Sequence, residues 1–244
     1  MKTFHYGLSR IVSWLSLIIG FWVPSAFAAS SVVTFTQLTG VTGGVASATA
    51  VFRADLSSLG LGTIQSLTIQ DNSGGVGGSP GQFSGFDLDA IKLSTTLIGD
   101  APSVNGIAGL SVFNFSPAGT LFTAGTQRPP VDPALFGTSG STINNAVATL
   151  GLFDGESVAA VPGAFGFVSM GDGGIVSFNL TSSVSTTGLF LYIGEVGNNG
   201  EVAAGRITAS DVTVSTPEPE TYAMMLAGLG LLGFVAWRRN QRSV

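Results

Sequence analysis

The chain has 244 residues, 45% of them hydrophobic and only 9% charged, which is long enough to bury a core and too apolar for a disordered chain. It has no cysteine and one histidine, His5, which excludes disulfides and thiolate metal sites and leaves the rest of the chain without an imidazole base. The formal charge of −5 excludes the basic surface that nucleic-acid binding requires.

Residues 1–28 read as a secretory signal peptide. Lys2 and Arg10 supply the positive start. Ile11 to Val23 is an apolar run broken only by Ser13, Ser16 and Gly20, and Pro24 ends it. Ala26-Phe27-Ala28 is the small-x-small pattern of signal peptidase, which places cleavage after Ala28, with Ala29 as the next candidate. The apolar run is short for a membrane span of about 20 residues, so cleavage is expected over anchoring.

Residues 29–215 form the body. Ser31–Leu38, Val45–Arg53, Thr63–Gln70, Gly85–Ile98 and Leu110–Phe115 read as strands. So do Ala146–Phe153, Ile175–Leu180, Leu189–Val196 and Arg206–Val214. Each is short, β-branched or aromatic, and bounded by Gly, Pro, Asn or Ser. Asn72–Gln82 and Ala118–Ser141 read as long surface loops, and Pro133–Phe136 as one helical turn. About nine short strands without helical periodicity predict an all-β body, a β-sandwich or jelly roll, with phenylalanines filling the space between its sheets.

The body's basic residues are Arg53, Lys92, Arg128 and Arg206, against twelve acids. Such an acidic balance suits an exported domain or one that binds divalent cations. The most informative stretch runs from Phe83 to Ile91. As a strand it puts Phe86, Leu88 and Ala90 on one face and Asp87 and Asp89 on the other. Aspartate is disfavoured in strands and the paired charges repel, so a hard cation gives the pair a reason to exist. Calcium is the candidate cofactor, with Asp87, Asp89, Asp71 and Asn72 as ligands and the acidic turn Glu195–Glu201 able to fold against them. No EF-hand spacing is present. The competing readings are that the two aspartates face water on a half-exposed strand, or that they act as catalytic carboxylates.

Catalysis lacks its usual groups. The body has no histidine, no Gly-x-Ser-x-Gly, and one lysine, Lys92. Gly74 to Gly78 is followed by Ser-Pro-Gly-Gln rather than by the lysine and helix of a phosphate cradle. Trp14, Trp22 and Trp237 all lie outside the body, and Tyr192 is its only tyrosine, so a sugar-stacking platform is missing too. The body is expected not to be an enzyme.

Residues 216–244 have another design. Pro217-Glu218-Pro219 breaks the chain, and Tyr222 to Trp237 is an uncharged run that would extend about 24 Å as a helix. Arg238, Arg239 and Arg242 follow and would stay on the cytoplasmic side of a transmembrane helix over about 221–237. The Pro-Glu-Pro triplet, the glycine-interrupted apolar stretch and the terminal Arg238-Arg239, in that order, resemble the PEP-CTERM sorting signal. The resemblance covers only this tail. It implies handling by an exosortase in a Gram-negative bacterium whose envelope carries exopolysaccharide. It also implies export across the inner membrane, transient anchoring in the membrane through the tail, and processing near Pro217-Glu218-Pro219. Expected partners are therefore signal peptidase, exosortase, exopolysaccharide and the membrane, with no nucleic acid. The expected function is a non-catalytic surface or matrix protein associated with exopolysaccharide or biofilm. Alternatives are a calcium-dependent carbohydrate-binding or adhesive module, or a surface glycan hydrolase.

Overall fold

A computed structural model describes residues 29–43, 48–155, 166–201, 207–215 and 225–234. The signal peptide, with Ala26 and Ala28, and the tail residues Pro217, Glu218, Pro219, Arg238 and Arg239 lie outside the described residues. The strands are β1 (Ser30–Val32), β2 (Thr36–Gln37), β3 (Thr49–Asp55), β4 (Thr63–Gln70), β5 (Asp87–Ser94) and β6 (Thr120–Thr123). They continue with β7 (Thr138–Ser139), β8 (Thr142–Ile143), β9 (Val168–Ser169), β10 (Ile175–Ser185), β11 (Phe190–Val196) and β12 (Ile207–Ser210).

Two five-stranded sheets carry the body, one in the order β1-β12-β4-β10-β6 and the other β2-β3-β11-β5-β9, and β7-β8 is a separate hairpin. All the strand pairs are antiparallel. The described body is mostly β-sheet, as its short, punctuated strand pattern predicts. The pairing is nested: β1 pairs β12, β3 pairs β11, β4 pairs β10 and β5 pairs β9. One hydrophobic core joins the sheets. Leu67 and Ile69 of β4 and Val176 and Phe178 of β10 share it with Leu88, Ile91 and Leu93 of β5 and with Leu191 and Ile193 of β11.

The two outer faces differ. On the first sheet, Ser66, Thr68, Ser177 and Asn179 alternate with those core residues, and the Thr68 and Ser177 hydroxyls lie 2.8 Å apart. On the second sheet the outer face is covered as well. Val51, Ala90 and Tyr192 pack there against Ala101, Val104 and Phe153 from connecting segments. The Tyr192 hydroxyl donates to the Thr96 carbonyl at 2.7 Å and accepts from the Ile98 amide at 3.2 Å. A sheet covered on both sides does not show the alternation of a half-exposed one.

Several expectations are corrected. Leu110–Phe115 and Ala146–Phe153 are not strands. They are connecting segments that touch the sheets through single backbone bonds, such as Leu110 N–H to Leu93 O and Ile91 N–H to Leu150 O on the second sheet, each 2.9 Å or shorter, and an isolated bridge of Phe113 to Leu180 of β10 on the first. Their apolar residues signal burial rather than ladder pairing. The Ala118–Ser141 loop contains β6 and β7, and Pro133–Phe136 forms no helical turn. Ser31–Leu38 divides into β1 and β2. The phenylalanines do not all fill the inter-sheet space: Phe83, Phe136 and Phe167 form their own cluster, with ring centroids 4.5 Å apart for Phe136–Phe167 and 5.3 Å for Phe83–Phe136. In the tail, residues 225–234 are helical. Among the described residues no helix is long and apolar enough to cross a membrane.

Candidate functional site

The predicted acidic strand is β5, and a bulge shapes it. Ile91 stands opposite Ile193 and Leu88 opposite Glu195, so Asp89 and Ala90 together oppose the single residue Gly194. The extra residue keeps Leu88 and Ile91 both in the core while Asp87 and Asp89 point away from it. They do not face water: Asp87 is 5% and Asp89 0% exposed, because the outer face of this sheet is covered.

The two carboxylates go to different surroundings. Asp89 Oδ2 accepts from the Thr49 hydroxyl at 2.8 Å across β11. Gly194 makes this reach possible, since a Cβ there would stand 2.9–3.0 Å from Thr49, Asp89 and Phe153. Burial pushes Asp89 up to about 7, against the Thr49 hydroxyl and the Gly155 and Asp154 amides, which favour its charge. Asp87 Oδ1 accepts from the Ser169 hydroxyl of β9 at 2.5 Å. Burial, and then the charge of Glu201, raise Asp87 well above the usual carboxylate range.

Asp71 has a structural task. It accepts from the Ser73 hydroxyl at 2.5 Å, the Phe86 amide at 2.9 Å and the Gly173 amide at 2.9 Å, and from the Ser73 amide. It thereby ties the end of β4 to the start of β5 and to the turn before β10. Asn72 beside it is exposed. The four candidate calcium ligands are thus dispersed over several surroundings. Among the described residues no group of three or more acidic or histidine side chains is arranged to hold a metal ion.

What does gather around Asp87 is Glu195 near the end of β11 and Glu201 in the turn that follows it. Glu195 and Glu201 are 1% and 3% exposed. Burial first, then the Glu201 charge, pushes Glu195 up to about 8. Glu201 is likewise pushed up to about 8, by burial first, with the Asp87 amide and Arg128 working against the rise. Arg128 Nη2 stands 3.6 Å from Glu201 Oε1 and its Nε 3.4 Å from Asp172 Oδ1. The same guanidinium donates to the Gly77 carbonyl at 2.5 Å. A Cβ at Gly78 would collide with the Glu201 carboxylate, and one at Gly77 would stand 2.7 Å from the Glu201 amide. The glycine-rich loop therefore serves close approach to Glu201. Neither oxygen of Glu201 accepts a hydrogen bond of normal geometry, nor does Glu195 Oε1.

Sequence reasoning anticipated that the Glu195–Glu201 turn folds against the acidic strand, and it missed Arg128 and Asp172. Scarcity was the available signal: Arg128 is one of only four basic residues in an acidic body. Chemically, the cluster can store protons or attract a cation.

No curated protein and no solved structure matches the chain. Residues 215–240 match the PEP-CTERM protein-sorting motif, so the C-terminal segment is the address of an exported protein sorted by an exosortase to the surface or the extracellular space.

Proposed function

We infer that this is a non-catalytic surface or matrix protein of a Gram-negative bacterium, associated with exopolysaccharide or biofilm. The sorting motif at 215–240 carries the reading. In this account signal peptidase cuts after Ala28. The helix that includes residues 225–234 holds the precursor in the membrane, and an exosortase processes it near Pro217-Glu218-Pro219. The nested strand pairing supports reading the body as a jelly roll, a fold that hosts many binding functions. The absence of histidine and cysteine from the body supports a non-catalytic role. The test is fractionation of cultures that make or lack exopolysaccharide. The body should sediment with the matrix only where the polysaccharide is made; equal release into the medium from both would refute the association.

A second reading, a calcium-dependent carbohydrate-binding or adhesive module, draws support from the buried oxygens of Glu195 and Glu201 beside Asp87 that lack hydrogen-bond partners. Calcium should then raise the melting temperature of the protein and EDTA reverse the rise. Identical melting in both removes this reading.

A further inference from the structure

Asparagine is disfavoured inside strands, yet Asn179 sits within β10. Its partners give the reason. Asn179 Nδ2 donates to the Val214 carbonyl at 2.8 Å, and the Val214 amide donates back to Asn179 Oδ1 at 2.8 Å. Two residues earlier, the Ser66 hydroxyl of β4 donates to the Val212 carbonyl at 2.6 Å. One residue before that, the Asp211 amide donates to the Ala29 carbonyl at 3.2 Å, and the Ala29 amide donates to Asp211 Oδ1 at 2.9 Å.

These bonds follow one row of the first sheet. Ser30 pairs with Ser210, Ser210 with Ser66, and Ser66 with Asn179. Ser66 and Asn179 belong to the face opposite Leu67 and Phe178, so they point away from the core. After β12 the chain therefore turns and crosses the outer face of the sheet as a strap, pinned at Asp211, Val212 and Val214. Asn179 supplies the last pin before the tail. From Val214 to Pro217 is three residues, which reach at most about 10 Å when fully extended. A protease needs several extended residues on either side of the bond it cuts. With the strap closed, the chain up to Val214 is held against the body.

We propose that Asn179 and Ser66 form a brake on tail processing: the strap at 211–214 must come off the first sheet before the Pro-Glu-Pro motif can enter the exosortase. This rests on the reading that an exosortase cuts near that motif. Asn179 acts by positioning the substrate and takes no part in the cleavage chemistry. The Asp211 bonds also place Ala29, the residue after the expected signal-peptidase cut, beside the start of the strap, while Val214, the last pin before the tail, sits over β10.

The test uses the full chain in an exosortase-carrying host, followed by pulse-chase. Asn179→Ala should be trimmed several-fold faster than the unmodified chain. A ten-residue Gly-Ser insertion between Ser215 and Thr216 should speed trimming equally and abolish the dependence on Asn179, and it leaves the body intact should Asn179→Ala misfold. Equal or slower trimming of the lengthened chain overturns the brake. Hydrogen exchange on the purified full chain supplies an independent readout. The Val214 amide should be protected and should lose protection in Asn179→Ala; an unprotected Val214 in the unmodified chain also overturns the brake. A chain never trimmed in any form, with Val214 protected, counts against exosortase cutting and leaves the strap standing.

Discussion

At the scale of single residues, the body stakes most on its buried carboxylates. Asp71 satisfies the buried amide of Phe86 and the buried Ser73 hydroxyl, together with the part-buried amide of Gly173. Asp71→Ala strands those donors, and each unsatisfied buried group costs about 1–3 kcal/mol, so a loss of about 3 kcal/mol of unfolding free energy is expected, read as a lower denaturant midpoint at unchanged slope. Asp87, Asp89, Glu195 and Glu201 behave differently, because burial raises all four. The unfolded chain releases these protons near pH 4, whereas the folded chain keeps those of Glu195 and Glu201 until about pH 8. Their contribution to stability is full below the unfolded values and is lost as pH rises to about 8. Melting temperature should therefore fall between pH 5 and 8, and Glu201→Gln should flatten that fall. A melting temperature that rises with pH over this range would show that the cluster is ionised and compensated in the fold. The aspartates of the acidic strand were legible as residues wanting a reason, but their burial was not. The covering segments that bury them come from elsewhere in the chain.

At the scale of elements, local pattern served where strands make ladders and failed where apolar segments merely cover. Thr63–Gln70 is β4 as expected, and Leu189–Val196 contains β11. Val168–Ser169, by contrast, is too short to signal itself, although as β9 it supplies the serine that binds Asp87. Nor does the bulge in β5 have a signature in its own residues, since it exists only relative to Gly194 on the neighbouring strand. Gly194 also gives a sharp test. Gly194→Ala brings a Cβ to 2.9–3.0 Å from Thr49, Asp89 and Phe153, all buried. Overpacking of this kind costs about 1–3 kcal/mol, and equilibrium unfolding measures it. Gly60→Ala is the control for lost glycine: nothing lies within 4 Å of a Cβ there, and its cost comes from its φ of 72° alone.

At the scale of the whole molecule, the sorting tail was readable because it is contiguous and its order of elements is specific, and the match at 215–240 agrees with it. Fold class was readable from composition and punctuation. Nested pairing was not, because β1 and β12 are separated by most of the chain and no local pattern specifies so distant a partner. That pairing has a consequence for export. Antiparallel β1 and β12 bring the start of the body beside Asp211, and the strap from there carries the chain across the sheet to Asn179 before the tail begins. The central claim, that the chain is an exported precursor trimmed at its C-terminal address, is tested most directly by the intact mass of the product outside the cell. That mass is to be compared between a host carrying the exosortase and the same host without it. The account expects a product starting at Ala29 and ending near Pro217-Glu218-Pro219 in the first host, and a chain retaining its tail in the second. An untrimmed tail in both hosts, or a chain kept inside the cell, would contradict it.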